Sequence, residues 1–545
     1  MKDVTESVKR SDLFTRTKKS RTVLYLLWFI LMFIYYYIML PPIHYASLEF
    51  WGFILIGIVG LILAESLADG MEEVKYGVII RSKKYQRLLM IPLAFLLIGA
   101  LSYGILSPVF FSKQYSQMIQ ATEKDFQKDF TESNIHEIPL IDRDTAQRLG
   151  DRKLGALTDL VSQFVAAPDY TQINISGEPY RVTPLEYAGF FKWLNNFRTG
   201  LPHYLKVDMV SGDVSVETPS QPIKYSYSDK FFRYVPRKLR FSYPFHIFGE
   251  PSFEVDDKGN PFYIATSYKR NFFIREPEAK GVVTLNAMTG EVTSYPLDEI
   301  PEWIDRVHSA TLIMHQLEMR GKYTNGFWNS LFAKRGVTEP TRGYNYLPLD
   351  DDIYLYTGIT SVVSDESNIG FVLVNMRTKE AAMYPVTAAE EFSAMRSAEG
   401  SVQEKGYNAT FPLLLNIHGQ PMYILSLKDS AGLIKAYALI DVQNYQKVWI
   451  DTSVDRLIQQ YSDALGANLE DIEDLPSEEI KGKVESIQAT VVDGDTIYYF
   501  MVDGNIYKAN IKLNDQLPFV REGATLRFEA ISNGAVQRLE VEGED

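Results

Sequence analysis

The chain of 545 residues contains no cysteine, which excludes a disulfide framework, thiolate zinc sites, iron-sulfur clusters and a cysteine nucleophile. Histidine is scarce, with seven residues scattered along the chain. No G-x-S-x-G, S-x-x-K, P-loop or H-E-x-x-H is present, so acyl transfer, phosphoryl transfer and zinc hydrolysis lack their usual anchors. Positive charge is in deficit: Lys+Arg 55 against Asp+Glu 69 gives a net charge of -14, which argues against a nucleic-acid partner because a polyanion would be repelled by most of the surface. With 34 Gly, 25 Pro and 46% hydrophobic residues, the composition excludes a mainly disordered or collagen-like chain. No cofactor is expected.

The most conspicuous presence is apolar. Residues Thr22 to Leu48 carry no charge, and LYLLWFILMFIYYYIML within them is long enough to cross a bilayer. A second uncharged run, Phe50 to Ala64, lies between Glu49 and Glu65, and a third extends from Leu88 to Ser112 with Pro92 and Pro108 inside it. Three spans are predicted, with Glu65 marking the cytoplasmic interface. Lys and Arg number seven before the first span, none in the first loop and five in the second: Lys75, Arg81, Lys83, Lys84 and Arg87. Basic flanks stay cytoplasmic, so the amino-terminal flank (residues 1–21) is expected inside and everything after Lys113 outside. The long first run behind that flank argues against a cleavable signal peptide. The expectation is a multi-pass plasma-membrane protein.

The membrane domain (22–112) leads into predicted juxtamembrane helices (113–165), beginning with the polar stretch YSQMIQATEKDFQKDFTESN as a stalk. Residues 166–460 read as repeats. A turn-then-strand unit occurs at Gly177, Gly259 and Gly419, with a degenerate copy around Asp352, and each is followed by a hairpin centred on Gly212, Gly290, Lys379 or Tyr445. Lys379 and Tyr445 stand where the first two copies have glycine, so those turns must differ or be strained. An acidic linker (461–481) precedes a predicted barrel (482–545) of about five strands, with turns at Asp493-Gly494 and Asp503-Gly504.

The unit of strand, Asp or Asn, two residues, Thr-Gly-Glu-Val and strand, plainest from Leu285 to Tyr295, resembles the hairpin of PepSY-type domains. That resemblance implies α+β modules with extracytoplasmic binding, inhibition or regulation, and supplies no catalytic residues. Val491-Val492-Asp493-Gly494-Asp495-Thr496 resembles the opening of the thermonuclease fold, an OB-type barrel. Asp495 matches a calcium-binding carboxylate of that family, but the Arg and acidic base that follow in its pattern are missing, which implies a barrel without nuclease activity.

Four candidate sites stand out. KYSYSDKFFRYVPRKLRFSY places Lys224, Lys230, Arg233, Arg237, Lys238 and Arg240 among aromatic residues with Asp229 as the one acid, a local reversal of charge suited to an anionic polymer or lipid headgroups. Its bland alternative is the solvated face of a half-buried strand pair. His308 and His315, seven apart, would share a helix face, and Glu318 lies one turn from His315, a geometry that suits a metal only if other ligands converge. Asp350, Asp351 and Asp352 lack the spacing of a calcium loop. Asn174-Ile-Ser176 and Asn408-Ala-Thr410 fit a glycosylation sequon common by chance. The sequence therefore leads to a membrane-anchored binding, scaffold or regulatory protein of a bacterial envelope. Its expected partners are membrane lipid and an envelope protein or anionic cell-wall polymer; an envelope hydrolase and a transport-complex accessory subunit are the alternatives.

Overall fold

A computed structural model describes residues 22–70, 83–130, 138–273, 275–349, 352–362, 364–417, 419–467, 478–492, 495–530, 534 and 536–542. Three helices, α1 (Thr22–Met39), α2 (Leu48–Gly70) and α3 (Lys83–Ile105), are long and apolar enough to cross a membrane. Glycines at 57 and 60 in α2 let Trp28 lie against that helix, where its indole N–H donates to the Gly57 carbonyl at 3.0 Å. Tyr25 donates to Glu65 across the same helix pair, so the carboxylate has an intramembrane partner besides its place near a span end. Helix α3 stops before the end of its uncharged run because Pro108 forces Ser107 into an extended conformation and opens a new helix, α4 (Pro108–Ser116).

The expected stalk is instead drawn into the fold. After α4, β1 (Ala121–Glu123) pairs in parallel with a strand more than 250 residues later, and α5 (Phe126–Asp129) follows with Asp125 as its cap. Tyr115, Ile119, Phe126 and Phe130 are buried; the polar letters of this stretch conceal apolar anchors at irregular spacing.

Helices α6 (Arg143–Gly155) and α7 (Thr158–Val161) lead into a five-stranded sheet of β2 (Phe164–Ala166), β3 (Thr171–Ile175), β4 (Glu178–Tyr187), β5 (Tyr204–Asp208) and β6 (Val214–Glu217), with α8 (Phe190–Asn196) between β4 and β5. Helix α9 (Val235–Ser242) precedes a second five-stranded sheet of β7 (Ile247–Phe248), β8 (Ser252–Val255), β9 (Pro261–Asn271), β10 (Glu276–Asn286) and β11 (Val292–Pro296). Leu185, Leu205, Tyr263, Val283 and Leu285 close one core between these two sheets. Helices α10 (Ala310–Tyr323) and α11 (Phe327–Leu331) then precede the seven-stranded sheet that β1 joins, made of β12 (Thr338–Pro340), β13 (Asn345–Leu349), β14 (Asp352–Ser361), β15 (Ser364–Asn375), β16 (Ala381–Tyr384) and β17 (Ala388–Ala389). Beyond α12 (Glu391–Ser401) comes a third five-stranded sheet of β18 (Asn408–Ala409), β19 (Leu413–Ile417), β20 (Gln420–Lys428), β21 (Ile434–Asp441) and β22 (Val448–Asp451), covered by α13 (Val454–Ala467). The seven-stranded sheet and this last one share a second core. Finally β23 (Glu478–Lys483), β24 (Ser486–Val492), β25 (Asp495–Val502), β26 (Asn505–Asn510), β27 (Thr525–Ala530) and β28 (Val536–Glu542) form two three-stranded sheets around Phe500, Leu526 and Phe528.

Four hairpin turns are held by the same device. Asp208, Asn286, Asn375 and Asp441 each accept two backbone N–H groups on one side-chain oxygen, at 2.8 to 3.0 Å, from the residues two and three positions on. Lys379 takes the left-handed conformation that Gly212 and Gly290 adopt, at φ 68°. The Asp441 turn is longer and closes with Asp441 N–H on Lys447 O, leaving Tyr445 inside its loop. Asp503 and Gly504 close β25 on β26 with φ 50° and 76°. The Asp493-Gly494 turn and residues 468–477 of the expected linker lie outside the described residues, and its two ends are not linker but the close of α13 and the start of β23.

Candidate functional site

The basic and aromatic strip is no strand pair but a 3-10 turn at residues 231–233 followed by α9. Two of its arginines point at the membrane helices. Arg237 donates through Nε and Nη2 to the Tyr37 carbonyl, both at 3.2 Å, and its guanidinium lies 3.9 Å from the Tyr37 ring centre. Arg240 is buried and donates to the Leu40 carbonyl at 2.9 Å. Two cations thus sit at the carbonyl end of α1, where the helix leaves acceptors unfilled and its dipole is negative. Arg233 donates to Phe197 O, and the Lys238 ammonium lies 5.8 Å from the Tyr225 ring centre. Lys224 is half-buried; Lys230 is exposed. Three of the six cations are therefore spent on the chain's own carbonyls.

A second dock holds α3. The β9–β10 hairpin tip inserts Phe272 against Phe111 and Tyr115, Phe273 stacks on Tyr45, and Arg275 donates to Tyr103 O at 2.8 Å and Tyr115 Oη at 2.6 Å. Ile43 N–H also donates to Pro244 O. The loop after α1, α4, α9 and the β9–β10 hairpin tip consequently meet at one end of the three helices.

The histidines do not converge. His308 precedes the Ser309 cap of α10 instead of lying on the helix, so the two rings share no face. Burial, with Lys379 adding to it, pulls the His308 imidazole down to about 4. His315 is bonded to Glu276 at 2.8 Å, and this bond raises its pKa. Among the described residues no group of three or more His, Asp or Glu is placed to hold a metal. Asp350 and Asp351 lie outside the described residues, and Asp352 pairs with Arg377 at 2.7 Å. Asn174 is buried in β3, closed to a glycan, whereas Asn408 is exposed.

What replaces the histidine pair is a strap. Residues 305–308 tie three sheets: Asp305 accepts the Asn174 N–H at 2.7 Å, buried Glu254 accepts the Asp305 N–H, Thr266 donates to Val307 O at 2.7 Å, and His308 N–H donates to Met376 O at 2.8 Å.

Beside the strap opens a cleft of about 370 Å³ at the meeting of three sheets. Arg306 donates to Tyr346 Oη at 3.1 Å. Arg181, almost fully buried on β4, donates only to neutral oxygens: Ile141 O at 3.4 Å, Tyr170 O at 3.1 Å and Gln172 Oε1 at 3.3 Å. Burial pulls the Arg181 guanidinium down to about 10. Burial acts the same way on Arg306, but Tyr346 and Glu254 outweigh it and hold its pKa above the usual value. Neither arginine forms an ion pair among the described residues, while nearby Asp142 is taken by Lys428 at 2.5 Å and Asp169 by Arg143 at 3.5 Å. The polar wall also holds Asp142, Arg143, Asp144 and Asp169 with Tyr344, Asn345 and Thr410, and Phe411 and Leu413 form the apolar one. Arg181 is buried and Arg306 half-buried, and each feels nearby carboxylates, Asp142 for Arg181 and Glu254 and Asp169 for Arg306, without a direct ion pair among the described residues.

Sequence reading missed this cleft because its residues come from positions 139 to 425. The one local signal is Arg181 within β4, where Arg181 to Leu185 are buried on both faces.

Together these features describe a protein with three helices long and apolar enough to cross a membrane and a large, mostly β region docked on their ends. No family model matches this chain, and no curated protein matches it. Among solved structures, that of a B. megaterium levansucrase mutant is similar over 79% of this chain and 97% of that one, at 8% identity and a TM-score of 0.18; so distant a likeness carries nothing about fold or function.

Proposed function

We propose that this is an extracytoplasmic binding protein of a bacterial envelope, anchored by three spans, whose ligand is an anionic group seated between Arg181 and Arg306. The observation that carries the reading is that buried Arg181 and half-buried Arg306 line one cleft and neither forms an ion pair among the described residues, the cleft's Asp142 and Asp169 being paired with Lys428 and Arg143. A phosphodiester or carboxylate of a cell-wall polymer supplies the missing charge in the planar geometry that arginine favours. The orientation rests on the distribution of Lys and Arg around the spans.

The soluble region is, on this reading, four copies of one PepSY-like α+β unit, supported by the four turns that share one side-chain-to-backbone pattern. The carboxy-terminal unit is an OB-like barrel. Its support is the pairing order, in which β23 and β24 act as one bent strand between β27 and β25, with Lys508 N–H of β26 bonding Gly534 O just before β28.

The test is calorimetric titration of the full chain in nanodiscs with a poly(glycerol phosphate) oligomer and with a neutral dextran of equal length. Saturable, salt-sensitive binding of the phosphate oligomer alone, weakened at least tenfold by Tyr346→Phe or Arg306→Gln with unchanged thermal unfolding, is expected. Equal binding by the folded variants, or none by the parent, overturns the cleft as the site.

A further inference from the structure

Between residues 113 and 467, the exposed Phe and Trp side chains among the described residues are Phe190, Phe191, Phe231, Phe232, Phe241, Phe245, Trp328 and Phe332. They are not scattered. Phe231, Phe232 and Phe241 belong to the segment that caps α1, with Phe232 and Phe241 each packed edge-on or tilted against Tyr37 at 6.3 and 6.4 Å. Phe190 and Phe191 sit on α8, joined to that segment through Trp193, which contacts Phe190 at 5.5 Å and Phe231 at 6.1 Å. Phe245 follows the Pro244 that bonds the loop after α1. Trp328 and Phe332 belong to α11 and its end, which packs through Phe327 and Tyr323 on Tyr115 of α4, directly after α3. Phe232 and Phe241 touch α1 directly, and the other rings belong to segments linked to the same end of the membrane helices through these contacts.

Phe191 is 76% and Phe332 79% exposed, a degree reached outside the spans also by Phe519 at 81% in the carboxy-terminal unit, and rings so exposed gain from burial in an apolar layer. Exposed cations stand beside each cluster: Arg198 by α8, Lys230 before the 3-10 turn, Lys113 on α4, and Lys334 and Arg335 after α11. Rings with a fringe of Lys and Arg match the layering of a bilayer interface, apolar below and phosphate above.

We propose that α8, the turn at 231–233 and α11 lie in the headgroup boundary of the leaflet on that side, with their rings at the acyl boundary and their cations on lipid phosphates, preferentially of anionic lipid. The soluble region would then be held on the membrane surface at three further points besides its span ends. This inference does not depend on the cleft or its ligand.

The natural absence of cysteine gives a clean test. Phe191→Cys, Phe232→Cys and Phe332→Cys, each carrying a nitroxide, are reconstituted as full chains in liposomes of phosphatidylcholine with or without phosphatidylglycerol, with Ser430→Cys as the water-exposed reference. Oxygen collisions should exceed those of nickel chelate at the three aromatic positions and the order should reverse at Ser430. Chelate-dominated collisions at all three overturn the proposal, whereas a single outlier removes its own segment from the contact. The charge part is read by Lys334→Gln with Arg335→Gln: loss of any added depth that phosphatidylglycerol gives at residue 332 supports it, and no dependence on phosphatidylglycerol in the parent overturns it. Since the positions lie on separate segments and face outward, misfolding of one variant leaves the others to decide.

Discussion

Glu391 is buried in the core beside the last five-stranded sheet, accepting from Tyr356 Oη at 3.0 Å and Asn368 Nδ2 at 3.1 Å. Burial raises its pKa above the usual 4.5, so the folded protein favours the neutral acid. That preference adds stability below pH 4.5, and the contribution is lost as pH rises through the folded-state value. Urea midpoints followed by circular dichroism should therefore fall with pH above 4.5, less steeply in Glu391→Gln; an unchanged slope would show that the acid does not drive it. Glu391→Leu takes this acceptor from the Tyr356 hydroxyl and leaves Asn368 Nδ2 with its 3.4 Å bond to Tyr423 Oη, and should cost about 1–3 kcal/mol. Lys379 is strained for a reason visible only in three dimensions: its ammonium reaches Glu278 of the neighbouring sheet at 2.6 Å. Lys379→Gly relieves about 1 kcal/mol of left-handed strain but strands a largely buried carboxylate at about 3 kcal/mol. The single variant should melt lower, and adding Glu278→Gln should restore most of the loss.

At the level of elements, α10 lies against β12 with no room for a side chain at its contact. A methyl group on Gly321 would stand 2.2 Å from Thr338 O, so Gly321→Ala should cost about 1–3 kcal/mol by forcing the helix outward, measurable as a lower denaturation midpoint. The docks make a different prediction. Arg240→Ala, tested in nanodiscs by hydrogen exchange, should raise exchange in α9 and the last turn of α1 while leaving β9 and β10 protected; protection unchanged in both would remove Arg240 as the clamp. The spans were legible because uncharged runs of that length have few other uses. The hairpins were legible as far as their turns, since Asp208, Asn286, Asn375 and Asp441 act within three residues of themselves. Residues 113–134 and the Arg181–Arg306 cleft were not legible, because β1 finds its partner at Ala381 and the cleft assembles side chains from three sheets. The strip was seen as a charge reversal, but nothing local distinguishes an arginine that binds a ligand from one that fills the carbonyl end of a helix.

For the whole molecule, the meeting of the first loop, α4, α9 and the β9–β10 hairpin tip at one end of the three helices gives a topology that one labelling experiment checks. In intact cells an impermeant maleimide should modify Ser430→Cys and spare Ser82→Cys; the reverse pattern would place the soluble region in the cytoplasm and turn the search toward intracellular anions. The strap at 305–308 predicts that the three sheets it ties unfold together: Asp305→Ala should lower a single shared transition instead of splitting off one sheet, a distinction that calorimetry makes directly. The clamps on α1 also carry a consequence in time. Tyr37 and Leu40 wait for donors 200 positions downstream. At roughly 5–20 residues per second of synthesis, about 10–40 s separate the making of the first span from the making of the arginines that close its end. Until then those carbonyls answer to water and headgroups. The docking of α9 is thus registered at the first span made, and a chain whose α9 fails to dock is left with an open helix end.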